Sequence, residues 1–284
     1  MGEEIQGGER DTGWRKAIPE ARDRLQSKWL VGVVGALLVW ETVVAVQQVY
    51  LWWGPYLLAE IPGISIAFAC LVLALRAATL GGALSGGIIC MILLNGTFSS
   101  RDTILRSGLT PLVLLFVLTF LSTRAGRGKK ARAGLAEDRR GRSAAQVIAN
   151  LAAAALSVSW LTLVLLSGFE LVPKSYYLTW VHPVMRIMCL AALAEATADT
   201  VSSEIGQAFG GAPVMLVGLR RVDVGTDGAV TLLGSGAGAV AGVLVAAVGA
   251  WALRLGILEG AIAGFAGVCG LFFDSLLGAT VVRR

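Results

Sequence analysis

The residues best suited to chemistry gather in one polar stretch, Ala198 to Gly234, reading ADTVSSEIGQAFGGAPVMLVGLRRVDVGTDGAVTLLG between two apolar runs. Asp199 and Glu204 are candidate oxygen ligands for a hard cation such as Mg2+, which takes a few carboxylates together with substrate phosphates. They stand five apart, so a straight helix puts them on different faces. Either the helix breaks near Val201 to Ser203, or only Asp199 faces a site. Acids that cap a surface helix end are the plainer reading of either one alone. Downstream, VGTDGAV sets Gly225 and Gly228 around Thr226 and Asp227, just before an apolar run. Backbone N–H groups at a helix start attract phosphate, and glycine lets a ligand come close. The alternative is a glycine turn with Asp227 as a helix cap. Arg220 and Arg221 could pair with phosphate or serve as positive anchors at a membrane.

A third acid lies far along the chain. Asp274, in GFAGVCGLFFDSLLGAT, shares a helical face with Gly267, Gly270 and Gly278. An acid in an apolar span costs about 2.5–3.5 kcal/mol on insertion scales, and such residues usually serve a site or pathway. The bland alternative is a partner for Arg186 or Arg76. Arg142, Gln146 and Asn150, spaced by four, line one face where a helix begins, and Asp199 and Ser203 repeat that spacing. Lys129 and its basic neighbours either orient the chain against anionic headgroups or bind phosphate.

These residues must be positioned by helices in a bilayer. Among 284 residues 56% are hydrophobic and 15% charged, and the mean hydropathy is +0.73. A soluble domain carries about a quarter charged residues. Apolar runs occur at 29–50, 57–75, 79–95, 109–123, 146–168, 181–198, 229–255 and 258–280, which predicts an all-α polytopic bundle of about eight transmembrane helices. The first run is too long and too late for a cleaved signal peptide. Residues 1–28 form a polar tail, and 29–284 a transmembrane domain with loops at 124–145 and 199–228. The basic segment Arg124 to Arg142 places its loop in the cytoplasm. Counting spans puts both termini and the 199–228 loop on that side, as expected of a multi-pass protein of the cytoplasmic membrane. Ser122, Thr123, Arg142, Gln146, Asn150, Asp199, Thr226 and Asp274 then share one leaflet, which argues for one site. The single His182 and the four scattered cysteines fit no usual zinc or disulfide pattern, and no Walker A sequence is present.

Four stretches, in order, resemble the "domain of unknown function 92" family of integral membrane proteins, which includes the plant phytyl-phosphate kinase of tocopherol synthesis. They are RAATLGGALSGG from Arg76, STRAGRGKKARAGLAEDRRGRSAAQVIAN from Ser122, ADTVSSEIG followed by VGTDGAVTLLG, and GVCGLFFDSLLGAT near the end. The chain departs from that pattern at Val201 and Asp227. The resemblance implies a membrane-embedded, Mg2+-dependent kinase that moves a phosphoryl group from a nucleoside triphosphate, CTP or ATP, to a prenyl monophosphate. The carried-over roles are Asp199, Glu204 and Asp274 for catalysis and metal. Lys129, Arg142, Gln146, Asn150, Thr200, Ser203, Arg220, Arg221, Gly225, Thr226 and Gly228 are implied to hold the phosphates of substrate and nucleotide. The partners implied are a lipid phosphate and a nucleotide, not nucleic acid, with self-association left open. Cytidylyl transfer to a lipid phosphate and small-solute transport are the alternatives.

Overall fold

The computed structural model describes residues 20–48, 50, 55–98, 103–132, 141–167, 182–226 and 228–281. Outside them lie most of the polar tail, Trp52, Trp53, Arg101, residues 133–140 of the basic loop, the loop up to residue 181, Asp227, and Arg283 and Arg284. The described chain is almost wholly helical. Helix α1 (Glu20–Trp29) runs through a π-helical turn at Leu30–Val34 into α2 (Gly35–Gln48), followed by α3 (Pro55–Ala74), α4 (Leu80–Thr97), α5 (Leu109–Arg124) and the short α6 (Arg127–Arg132). Next come α7 (Ala144–Ser157), α8 (Trp160–Ser167) and α9 (His182–Phe209). A small antiparallel hairpin of β1 (Val214–Met215) and β2 (Ala229–Val230) leads to α10 (Leu232–Ala252) and α11 (Ile257–Val281).

Each expected apolar run falls on helix, the run at 146–168 on two, α7 and α8, and the protein is a polytopic membrane helical bundle. Among the described residues, four helices are long and apolar enough to cross a bilayer: Leu25–Gln47, Leu80–Thr97, Leu232–Ala252 and Ile257–Thr280. A fifth is added if Ala144–Ser157 and Trp160–Leu166, bent by 49° at their junction, count as one span. The count of eight therefore exceeds what length and apolarity alone support. The bend has a visible partner. Glu41 on α2 is 3% exposed, and its carboxylate accepts the N–H groups of Trp160 (3.1 Å) and Leu161 (3.2 Å) at the start of α8. This acid, inside the first apolar run, thus satisfies a helix start whose donors would otherwise be orphaned.

Helix α9 is the hub. It packs on α10 and α11 most extensively, and also on α5 and α7. Small residues make that possible. On α10, a Cβ at Gly234, Gly238 or Gly242 would meet the backbone oxygens of Ser202, Ala198 and Ala194 in turn. On α11, Gly267 faces Ala194 and the backbone of Glu195, and Gly270 the Glu195 side chain. Helix α9 is also longer than its apolar run. It continues without a break from the apolar part through Asp199, Ser203 and Glu204 to Phe209, so the first part of the expected 199–228 loop is helix. The run expected from Ala229 begins at Leu232 because Ala229 and Val230 pair with Met215 and Val214.

The seam yields a paired test. Gly238→Ala should lower the melting temperature in detergent, although Ala favours helix over Gly by about 1 kcal/mol. Gly236→Ala on the same helix, with open space around it, should leave the melting temperature unchanged or raised.

Candidate functional site

Contacts across long sequence separations gather the polar residues at one end of the bundle. The chain entering α7 lies alongside the chain entering α4: Arg142 N donates to Ala77 O (3.0 Å), and Thr79 N donates to Arg142 O (3.0 Å). Gly141 has φ +76 with Ala77 against its missing side chain, and a Cβ at Gly82 would strike Arg142 O. Thr79 then caps α4 by accepting from Gly82 N (3.2 Å). The residues of RAATLGG are therefore spent on letting this strap approach. Nearby, Arg124 donates to Leu75 O (2.9 Å) and stacks on Phe120, while Gly126, with φ +63, sits against Ala208.

Two cavities open at this end, one on each side of α9. The first, of about 510 Å³, has an apolar interior of Phe68, Val72, Leu112, Leu115, Phe116, Phe120 and Leu151. Its polar lining is Arg76, Thr123, Arg124, Arg127, Lys130, Arg142 and Asn150. Among the described residues no Asp or Glu lines it. An apolar chamber with a cationic mouth suits an amphiphile with an anionic head.

The second cavity, of about 450 Å³, lies between α9, the hairpin and α11. Asp199, Ser202, Ser203 and Gln207 come from α9, Asp274 and Ser275 from α11, and Gly225, Thr226, Gly228 and Thr231 from the approach to α10. Gly225 and Gly228 have φ +91 and +75, the left-handed region that glycine enters at little cost. At Gly228 the backbone of Ala279 leaves no room for a Cβ, so the loop lies directly on α11. The helix cap here is Thr231, which accepts from Gly234 N (3.1 Å). Asp199, Asp274 and Glu195 act on one another electrostatically, and the Arg142 guanidinium acts on Asp199. Of these acids Asp199 and Asp274 line the cavity, and like charges facing one cavity favour a cation there.

The helix that was expected either to break or to show only Asp199 does the second. Glu204 lies on another face of α9, where its carboxylate accepts from Lys130 Nζ (2.5 Å) and Thr123 Oγ1 (3.3 Å). It is thus kept apart from Asp199 and Asp274, with which it had been grouped. Lys130, 2% exposed, also donates to Ser122 O and Thr123 O. Its neighbour Lys129, the lysine singled out from sequence, instead sits over the Phe209 ring at 4.9 Å and lines neither cavity. Gln146 completes a capping box with Ser143, its Oε1 accepting from Ser143 N (2.8 Å). Thr200 is buried, and Arg220 and Arg221 are exposed on the hairpin, away from both cavities. Arg186 donates to Leu253 O (3.1 Å) near the opposite end of the bundle, so it is no partner for Asp274. Arg76, Arg124, Arg127, Lys130, Ser202 and Gln207 also line the two cavities, although none was singled out by its own position in the sequence. The strap at Arg142 and the turn at Gly126 bring in the four cations, whereas Ser202 and Gln207 stand three and eight positions along α9 from Asp199, a spacing that only an unbroken helix turns to one cavity.

Residues 63–284 match the family described as "Integral membrane protein DUF92". The chain belongs to the DUF92 family. Three relatives share parts of this DUF92 protein's sequence. "Protein VTE6, chloroplastic" of Arabidopsis thaliana is 26% identical over 216 residues, 76% of this chain and 62% of that protein. An uncharacterized membrane protein of Methanocaldococcus jannaschii is 35% identical over 96 residues, 34% of this chain and 40% of that one. Another, from a Synechocystis strain, is 30% identical over 166 residues, 57% and 58% respectively. The DUF92 chain thus spans less than two thirds of the length of these relatives. No solved structure matches it.

Among the described residues, no three His, Cys, Asp or Glu converge as a metal cage. The pair Asp199 and Asp274 instead fits the habit of Mg2+, which takes one or two carboxylates and finds its other ligands in water and substrate phosphates. The Lys130–Glu204 ion pair on the other face of α9 can be tested without a ligand. Lys130→Met strands the Glu204 carboxylate, 17% exposed, and removing one partner of a buried pair costs about 3–5 kcal/mol. Thermal unfolding should show a large loss for Lys130→Met and partial recovery in the Lys130→Met/Glu204→Leu double variant.

Proposed function

We propose that this DUF92 protein is a membrane-embedded prenyl-monophosphate kinase that takes its phosphoryl group from a nucleoside triphosphate, CTP or ATP. The observation that carries the reading is the pair of cavities flanking α9: an apolar chamber with a cationic mouth on one side, and an acidic, glycine-bounded pocket on the other. A lipid phosphate suits the first and a nucleotide with Mg2+ the second. Membership of a family that includes a plant phytyl-phosphate kinase supports the same reading. The basic loop argues that this end of the bundle faces the cytoplasm.

In this scheme Arg76, Arg124, Arg127 and Asn150 receive the lipid headgroup while the prenyl chain lies among Phe68, Phe116 and Phe120. Lys130, held by Glu204, fixes the short α6 at the mouth. Asp199 and Asp274 would hold Mg2+, which neutralises phosphate charge when bound. Gly225 and Gly228, without side chains, let the nucleotide phosphates approach the wall of this pocket. Arg142 stands between the two ligands, its backbone pinned by the strap and its charge beside Asp199. An oxygen of the lipid phosphate attacks the γ-phosphorus, the bond to the bridging oxygen breaks, and nucleoside diphosphate leaves. Such a transfer needs positioning and charge neutralisation more than covalent help from the protein.

The decisive assay combines purified protein, Mg2+, CTP or ATP, and farnesyl, geranylgeranyl or phytyl monophosphate. Lipid diphosphate should form, and Asp199→Asn and Asp274→Asn should each reduce kcat by roughly 100-fold or more, the scale of lost electrostatic stabilisation. Gln146→Ala, which removes a helix cap, should cost about 1 kcal/mol of stability and leave kcat near that of the parent. A CDP-lipid product would instead establish cytidylyl transfer. Absence of any product with every lipid and nucleotide would overturn the reading.

A further inference from the structure

Among the described residues, those lining the first cavity carry more positive charge than a lipid monophosphate needs. Five cationic side chains line it and, among the described residues, no acid does. Two of the five are already answered from outside the cavity: Lys130 by the Glu204 carboxylate at 2.5 Å, and Arg142 in part by Asp199. Arg76, Arg124 and Arg127 remain at the mouth. Arg124 has one donor committed to Leu75 O, and its plane lies over Phe120, which sets its guanidinium at the rim. A phosphate monoester carries a charge of about −1.5 to −2 at pH 7. Phosphorylation turns that headgroup into a diphosphate with a further phosphoryl group and one more ionised oxygen. Three guanidiniums, each able to make paired hydrogen bonds to phosphate oxygens, match the diphosphate better than the monophosphate.

We propose that the basic cavity is matched to a lipid diphosphate rather than a lipid monophosphate, so that the enzyme holds its own product more tightly than its substrate. The inference rests on the kinase reading above and adds a regulation to it. Product accumulating in the bilayer occupies the cavity and competes with lipid monophosphate. Turnover in a closed vesicle slows as diphosphate builds up, and it resumes when another reaction consumes the diphosphate. The apolar chamber serves substrate and product alike, since the chain is unchanged, so the difference comes from the headgroup alone.

The test uses the full chain in detergent or lipid nanodiscs without nucleotide, measuring binding of farnesyl monophosphate and farnesyl diphosphate in parallel. Diphosphate should bind about tenfold more tightly, the scale of one additional charge-assisted contact, and the preference should shrink as ionic strength rises. Arg76→Gln and Arg127→Gln, both at exposed rim positions, should reduce diphosphate affinity more than monophosphate affinity. In the kinase assay, added farnesyl diphosphate should raise KM for farnesyl monophosphate. Turnover with equal affinity for the two lipids, or with no rise in KM for farnesyl monophosphate, overturns the inference and leaves the kinase reading intact. No turnover and no binding of either lipid sinks that reading and takes the inference with it.

Discussion

The polar end of this protein depends on how closely α10 and α11 can approach α9, because that distance determines whether acids on two different helices can address one ligand. In a bilayer there is no hydrophobic gain from burying one apolar helix against another, so close packing and satisfied polar groups must hold the bundle together. Here the packing comes from backbone meeting backbone. Gly234, Gly238 and Gly242 set α10 on the Ala194–Ala198–Ser202 stripe of α9, and Gly267 and Gly270 set α11 on its Glu195 side. With side chains removed from both seams, Asp199 and Asp274 open on the same cavity. Ordinary apolar residues at those glycines would hold the helices apart and separate the acids.

Helix α9 also serves a second purpose on its opposite face. Lys130 and Glu204 tie the α5–α6 turn to it, Gly126 lets that turn lie on Ala208, and Lys129 rests on Phe209. These contacts bring a basic segment, which by composition belongs in solvent, over an apolar chamber. The cost of burying Lys130 is offset by two backbone carbonyls and a carboxylate around its ammonium. One helix therefore separates a cationic compartment from an acidic one, and Arg142 is the residue whose charge reaches across.

Much of this could be read before the structure. The membrane class follows from composition, and the apolar runs locate the helices because a span in lipid has to be apolar nearly all round. Asp199 and Asp274 stood out as acids next to small residues, and both line one cavity. What remained hidden depended on helical phase and on distant pairing. The faces of Asp199 and Glu204 followed from a helix that did not break, and no local residue announces continuity there. Lys129 and Lys130 are adjacent on a six-residue helix with no apolar period to set its rotation, so neither could be preferred. Gln146 was legible in another sense: Ser143 three residues before it spells a capping box, and its regular spacing with Arg142 and Asn150 obscured that. Arg76, Arg124 and Arg127 looked like charges at the membrane surface, since their grouping requires Ala77 and Arg142 to meet across the sequence.

The glycine seam works like the key on a shaft. A helix turns by roughly 100° per residue, so sliding α9 by one position against α10 would rotate Asp199 away from its cavity and swing Thr200, now buried, into its place. The same slip would carry Glu204 off Lys130. A seam of backbone contacts at four-residue spacing has few neighbouring registers of comparable fit, so it fixes the angular setting of the whole helix. The acids and the ion pair, although on opposite sides of α9, are aligned together by this one feature, and a change in one compartment that nudged the helix would be felt in the other.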